Sequence, residues 1–427
     1  MSEKSKKLSA DLRLKALFDD GVFWEIDGAT KECGARAAYG SVGGATAFAL
    51  CQDGAVDARH ARKFMKVYDL AAKTGAPVVT VYDSEGVKID DAFASLEAAS
   101  EILKKCSELS GVVPQIAVVA GTCAGFASMA AALADVCVMA KDGELFLTSA
   151  FTDKANGGKE KKVGSAEFAE KAGVAAIVCD TEEEAIAKAA DIVKLLPLNN
   201  LASLPAYEFE AGALADADSE TELFAAIGEG TKASLATLGG MPCGIIEATG
   251  KIDKDDAAKC AKLIEVCDAF NLPIISLINS TGFKACAEED KLGGIKSAAK
   301  LASVLAEATT AKVAVIKGSA IGSVFTTFCS KNSGCDMVYA TNGAVISALP
   351  VNAAATLVYE IKKDSDIEAL GKKYASEYAN AEKALESGII DGIIDDASAR
   401  EVLISAIDML SSKRASRLPK KHGNLPL

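Results

Sequence analysis

Aromatic side chains are scarce in this chain of 427 residues, at 6% with a single Trp, so its core must be built from small aliphatic residues. Alanine and glycine are abundant instead, which suits helices packed closely on sheets. Histidine is scarcer still, with only His60 and His422, and no Ser-His-Asp, paired-acid or metal-ligand constellation stands out. No pair of cysteines is spaced CxxC, which excludes zinc-ribbon and thioredoxin-like sites. No apolar run approaches the ~20 residues of a membrane helix. The N-terminal MSEKSKKLSADLRLKAL has no apolar centre to serve as a signal peptide. Positive charge is also lacking: the net charge is -13, and a nucleic-acid binder would need a basic face. No glycine-rich ATP loop is visible either.

What remains is a chain that is half hydrophobic and one quarter charged, long enough for two domains of about 200 residues. Its 12 cysteines are scattered singly and sit mostly in apolar runs. That pattern reads as buried thiols in a reducing cytoplasm.

The sequence repeats itself. Residues 54–86, GAVDARHARKFMKVYDLAAKTGAPVVTVYDSEG, lie over residues 250–282, GKIDKDDAAKCAKLIEVCDAFNLPIISLINSTG, at a constant offset and without a gap. Asp57 meets Asp253, Lys63 meets Lys259, Pro77 meets Pro273, Ser84 meets Ser280 and Gly86 meets Gly282. Each copy predicts a polar turn, an amphipathic helix, a buried strand and a glycine turn. Downstream, PQIAVVAGTCAGFAS (114–128) pairs with AKVAVIKGSAIGSVF (311–325), placing Gly121 on Gly318 and Gly125 on Gly322. Strands alternating with helices predict two paralogous α/β domains, 1–200 and 201–427, joined near LLPLNNLASLP (195–205).

VVAGTCAGFASMAAALAD (118–135) predicts a strand that enters a helix through residues with almost no side chain. The first amides of a helix have no intrahelical acceptor, and small residues let a carbonyl approach them. Such a turn can hold an oxyanion with backbone groups alone.

Four stretches carry a resemblance to a known family. They are RLKALFDDGVFWEID (13–27), VPQIAVVAGTCAGFAS (113–128), DAFNLPIISLINSTGF (268–283) and the tail KRASRLPKKHGNLPL (413–427). Together they resemble the carboxyltransferase subunits of biotin-dependent acyl-CoA carboxylases and decarboxylases, which belong to the crotonase superfamily. The resemblance implies two tandem crotonase-like domains. It also implies transfer of a carboxyl group between biotin on a separate carrier protein and a short-chain acyl-CoA, through an enolate. The first domain would face the acyl-CoA, with Gly125 and Phe126 as oxyanion donors. The second would face biotin, with Ser323 and Val324 as donors and Gly322 beside them. Ala124, Gly282 and Thr326 would line the substrate, Thr326 standing where the family selects the acyl chain. No metal is implied. The implied partners are a biotin carboxyl carrier protein, a biotin carboxylase or membrane decarboxylase subunits, and further copies of the chain, from dimer to hexamer.

The chain departs from the family pattern at Phe126 and at Ser323-Val324, where the family has glycine and Gly-Ala. Two other readings follow: the subunit of a sodium-pumping methylmalonyl- or glutaconyl-CoA decarboxylase, and a noncatalytic CoA-binding scaffold. A crotonase-type hydratase would need an acidic pair that is not visible. DKANGGKEKKVG (153–164) looks shorter than the family's segment, and reads as a solvated loop whose Lys154, Lys159, Lys161 and Lys162 are available to CoA phosphates. Lys66 in FMKV resembles a biotinyl lysine only by its neighbours and reads as a surface helix residue. Cys123 has no adjacent base and reads as packing. Asp135 and Asp336 read as turn residues.

Overall fold

The computed structural model describes residues 7–28, 34–84, 86–210, 217–421 and 423–425. Cys33, His422 and the last two residues of the tail lie outside them. The chain divides into two compact units, Met1–Pro205 and Ala206–Leu427.

The first unit holds β1 (Phe23–Ile26), β2 (Ala35–Val42), β3 (Ala45–Gln52), β4 (Val78–Ser84), β5 (Gln115–Ala124), β6 (Val136–Ala140), β7 (Glu144–Phe146) and β8 (Ile177–Cys179). They form one sheet in the order β1-β2-β3-β4-β5-β6-β8, with β7 on the far end of β5. The first three strands run antiparallel and the rest parallel. The β2–β3 hairpin turns on Gly43 and Gly44, both at positive φ, as a two-residue turn of that hand requires.

The second unit repeats this plan with β9 (Ser219–Leu223), β10 (Thr231–Leu238), β11 (Met241–Ala248), β12 (Ile274–Ser280), β13 (Lys312–Ile321), β14 (Met337–Thr341), β15 (Val345–Ser347) and β16 (Gly392–Ile394). Its order is β9-β10-β11-β12-β13-β14-β16, with β15 on β13.

The repeat seen in sequence is explained locally. Helix Ala58–Thr74 starts at Asp57, whose carboxylate accepts the amides of Arg59 and His60. Helix Lys254–Ala269 starts in the same way at Asp253. Such caps satisfy the orphan amides of a first turn and stabilise by about 1 kcal/mol each. Lys63 and Lys259 are both buried. Lys63 Nζ donates to the Ala35 carbonyl at 3.1 Å, and Lys259 Nζ to those of Ile227 and Gly228 at 2.7 Å. Asp135 and Asp336 each clamp the first residue of the adjacent central strand, accepting from the amides of Gln115 and Lys312 at 2.8 Å. Lys66 is exposed on its helix.

The central parallel strands are buried on both faces, as crossover helices require; every residue of β4 is buried. The stretch expected to join the domains is partly tied to the first unit, since Asn199 Nδ2 donates to the Gly75 carbonyl at 2.8 Å. No described helix is long and apolar enough to cross a membrane, and no metal-binding cluster occurs among the described residues.

Candidate active site

The central strand of each unit ends at a glycine with positive φ, which residues with a side chain rarely adopt. Gly125 follows β5 with φ 59 and ψ -128, and Gly322 follows β13 with φ 59. Each reverses the chain into a helical segment: Phe126–Ala132 in the first unit, and a turn with π-helical bonding at Phe325–Cys329 in the second.

The amide of Gly125 is engaged, donating to the Phe146 carbonyl at 3.0 Å, and that of Gly322 donates to the Ser347 carbonyl at 2.8 Å. These acceptors end β7 and β15, the short strands paired to the tips of β5 and β13. The next two amides in each unit, Phe126 and Ala127, then Ser323 and Val324, have no acceptor among the described residues. Of the pair expected at Gly125 and Phe126, the Gly125 amide is thus engaged, and the unengaged pair lies one residue further on. Gly125 shapes the turn and does not donate into it. The shift restores the repeat, because Phe126 and Ala127 stand where Ser323 and Val324 stand.

A third unengaged amide follows the glycine turn after β4 and after β12, and in the second unit it shares a cavity wall with Ser323. Val56 and Ile252 bridge to Val87 and Phe283. In each bridge the flanking groups are used: Val56 donates to the Gly86 carbonyl and accepts from Lys88, while Ile252 donates to the Gly282 carbonyl and accepts from Lys284. The amides of Val87 and Phe283 face the other way and have no acceptor among the described residues. Gly282, at φ 127, brings this segment against the Ile321 carbonyl. Sequence inspection missed Val87 and Phe283. The glycine before each, Gly86 and Gly282, was the available signal.

Side chains around the turns differ. Phe126 is half-buried and leans on the first unit's core, and Met129, one turn on, is exposed. The second unit has exposed Ser323 and Thr326 at these places. The Thr326 hydroxyl donates to the Ser323 carbonyl at 3.0 Å, which turns it onto its own helix. Ala124 ends β5 opposite Phe146. A cavity of ≈510 Å³ opens at the second turn, lined by Ser323, Phe283, Lys284, Cys286, Glu289 and Asp290 among others.

Cys123 is fully buried, and burial holds its thiol well above the ordinary value. A thiol so placed packs and does not attack. Lys154, Lys159, Lys161 and Lys162 are exposed; Lys162 pairs with Glu167. The start of their segment is helical, Ala150–Ala155 capped by Ser149, not loop throughout.

A model of the carboxyl transferase domain matches the chain twice, over residues 12–224 and 211–425. The alpha subunit of methylmalonyl-CoA decarboxylase from Veillonella parvula is 32% identical, across 99% of this chain and 93% of that protein. The propionyl-CoA carboxylase beta chain of Saccharopolyspora erythraea is 30% identical across 99% and 91%. Among solved structures, the hexameric transcarboxylase 12S with methylmalonyl-coenzyme A and methylmalonic acid bound superposes with a TM-score of 0.93 at 26% identity, covering 99% of this chain and 93% of that one. The doubled sheet, the doubled turn and the doubled family match agree, and the chain belongs to the carboxyl transferase family.

Proposed function

We propose that the protein is a carboxyltransferase subunit that moves a carboxyl group between biotin on a separate carrier protein and a short-chain acyl-CoA. The observation that carries this reading is the pair of matched turns, each presenting unengaged backbone amides beside a strand-end glycine. Such amides favour an oxygen whose negative charge grows during reaction, and so lower the barrier more than they tighten ground-state binding.

In the decarboxylating direction, the bond from the α-carbon to the carboxylate breaks and CO2 is released. The electron pair enters the thioester carbonyl, whose oxygen sits at the amides of Phe126, Ala127 and Val87. The ureido ring of biotin, when bound, would supply the proton that the α-carbon takes up and would accept the CO2 at the same nitrogen. In the second unit the amides of Ser323, Val324 and Phe283 would hold the carbonyl oxygen of that ring. Run backward, the same steps carboxylate the acyl-CoA. In this assignment Ala124 and Gly125 shape the acyl side, Gly282 and Gly322 shape the turn that receives biotin, and Thr326 keeps the acyl-selecting place that the resemblance gives it. The substitutions at Phe126, Ser323 and Val324 leave the main-chain donors in place, which favours an active enzyme over a scaffold. The likeness to a hexameric transcarboxylase supports an assembly of several copies.

The test is mass-spectrometric decarboxylation of malonyl-, methylmalonyl- and glutaconyl-CoA by the purified chain, with and without free biotin. Biotin-dependent CO2 loss from one of them is the expected result. Failure with all three, in an oligomer that binds CoA and is supplied with biotinylated carrier, overturns the reading in favour of the scaffold.

A further inference from the structure

We propose that Lys284 is the carboxylate-binding residue of the second unit's pocket, and that the ligand it selects is a neutral cyclic urea bearing one carboxylate. The inference rests on the reading above and adds to it a side chain, and a charge rule, for that site. The ≈510 Å³ cavity has the size of a small-molecule site. Its wall brings together the unengaged amides of Phe283 and Ser323 with the side chain that follows Phe283, Lys284.

The main chain of Lys284 is fixed by its amide, which donates to the Ile252 carbonyl at 2.8 Å. Its ammonium is not fixed. It lies 3.7 Å from Glu289 Oε2, beyond hydrogen-bond distance, and the side chain is 49% exposed. Glu289 is itself buried and anchored, with Oε1 accepting the Lys254 amide at 2.6 Å. The glutamate thus holds the ammonium near the pocket wall while leaving its hydrogens for a ligand.

Charge selects the ligand further. Asp253, Glu289 and Asp290 line the cavity against this one ammonium. A ligand with several negative charges, such as the phosphates of coenzyme A, meets net repulsion there. A neutral ring whose single carboxylate rests on Lys284 meets far less of it. The internal repeat adds a separate observation: the same position in the first unit is Lys88, whose amide donates to the Val56 carbonyl at 2.8 Å. Two ligands that carry the same carboxyl group in turn would each meet an ammonium at the same place.

The experiment uses the full-length protein and two small probes, 2-imidazolidinone and 2-oxoimidazolidine-1-acetate, titrated by ligand-observed NMR. The wild type should bind the carboxylated ring about tenfold more tightly than the neutral one. Lys284→Met should reduce that ratio to about 1–2, and Lys284→Arg should keep most of it. In the biotin-dependent assay, Lys284→Met should weaken the dependence on biotin while leaving KM for the acyl-CoA within about twofold. An unchanged ratio in Lys284→Met, with a wild type that turns over, overturns the role of Lys284 alone. A wild type that binds neither ring overturns the assignment of this pocket, and a wild type without turnover under the conditions given above overturns the parent reading with it.

Discussion

Behind the first turn stands Asp83, and at the same place behind the second stands Asn279. Both approach the chain where a glycine leaves room, and both accept the next amide: Asp83 Oδ1 from Thr122 at 3.3 Å, Asn279 Oδ1 from Ser319 at 3.0 Å. The charged version carries a retinue. Arg13, fully buried, donates to Asp83 Oδ2 at 2.8 Å, to the Gln52 carbonyl at 3.0 Å and to Glu182. Burial opposes the charge on Arg13, but its bonds to Glu182 and Asp83 outweigh that and raise its pKa. Asn279 is neutral and exposed. One geometry of the main chain is therefore supported by a buried ion network in one unit and by a single amide side chain in the other.

The largest effect should come from breaking that network. Arg13→Met leaves Glu182 buried without its cation and Asp83 with only the exposed Lys7, 2.8 Å from Oδ2, a loss of about 3 kcal/mol or more. Thermal unfolding of the full chain should register it as an early transition. If Arg13→Met unfolds like the wild type, the network contributes nothing to the first unit and the contrast with Asn279 is empty.

Acid should separate the units next. Position 60 is a buried His in the first unit, and its repeat counterpart is Asp256 in the second. Burial lowers the His60 pKa to about 4, with Lys63 adding to the effect and Asp57 opposing it. The unfolded chain then binds a proton that the folded chain refuses. Stability is full above pH ~6.5, and about 3 kcal/mol is lost progressively as pH falls from there to ~4. Asp256 has the reverse sign: burial raises its pKa, so acidification relieves its folded state. Replacing His60 with Gln should flatten the fall in melting temperature between pH 7 and pH 5. An unaltered slope would assign the acid sensitivity elsewhere.

The two glycines facing Asp83 and Asn279 sharpen the comparison at smaller scale. A Cβ at Gly121 would lie 2.1 Å from Asp83 Oδ1, and one at Gly318 would lie 2.2 Å from Asn279 Oδ1. The clashes are equal, but the neighbours are not equally able to yield. Asp83 is pinned by Arg13, so Gly121→Ala should cost about 2–3 kcal/mol. Asn279 can swing into solvent, and Gly318→Ala should cost less than about 1 kcal/mol. Equal losses in chemical denaturation would show that backbone crowding, not side-chain anchoring, sets the penalty.

How much of this was legible follows from the range over which each feature is determined. Asp57, Pro77, Ser84 and Gly86 act within a few residues of their own position, so a gapless register carried them, and with them the fold. The engaged amide of Gly125 was not legible. Its acceptor is the Phe146 carbonyl, on a three-residue strand too short to read from pattern. The same holds for Arg13, whose partners Asp83 and Glu182 are brought in by the sheet and a distant helix. The family pattern singled out the turn, and only the main-chain bonding decides which of its amides remain available.

The smallest effect concerns the segments that follow β7 and β15. In the first unit this segment carries Lys154, Lys159 and Lys161, exposed and without an ion pair among the described residues. In the second it is the helix Val351–Val358, with Leu357 and Val358 exposed. Phosphates favour the first and not the second, which is the division of labour proposed for acyl-CoA and biotin. Changing the three lysines to Gln should raise KM for the acyl-CoA about threefold at low salt, with kcat unchanged. Raising the ionic strength to about 0.5 M should erase the difference between mutant and wild type. An acyl-pantetheine without phosphates should show none at any salt. If it shows the same threefold change, the lysines act on the fold of the segment and not on the phosphates.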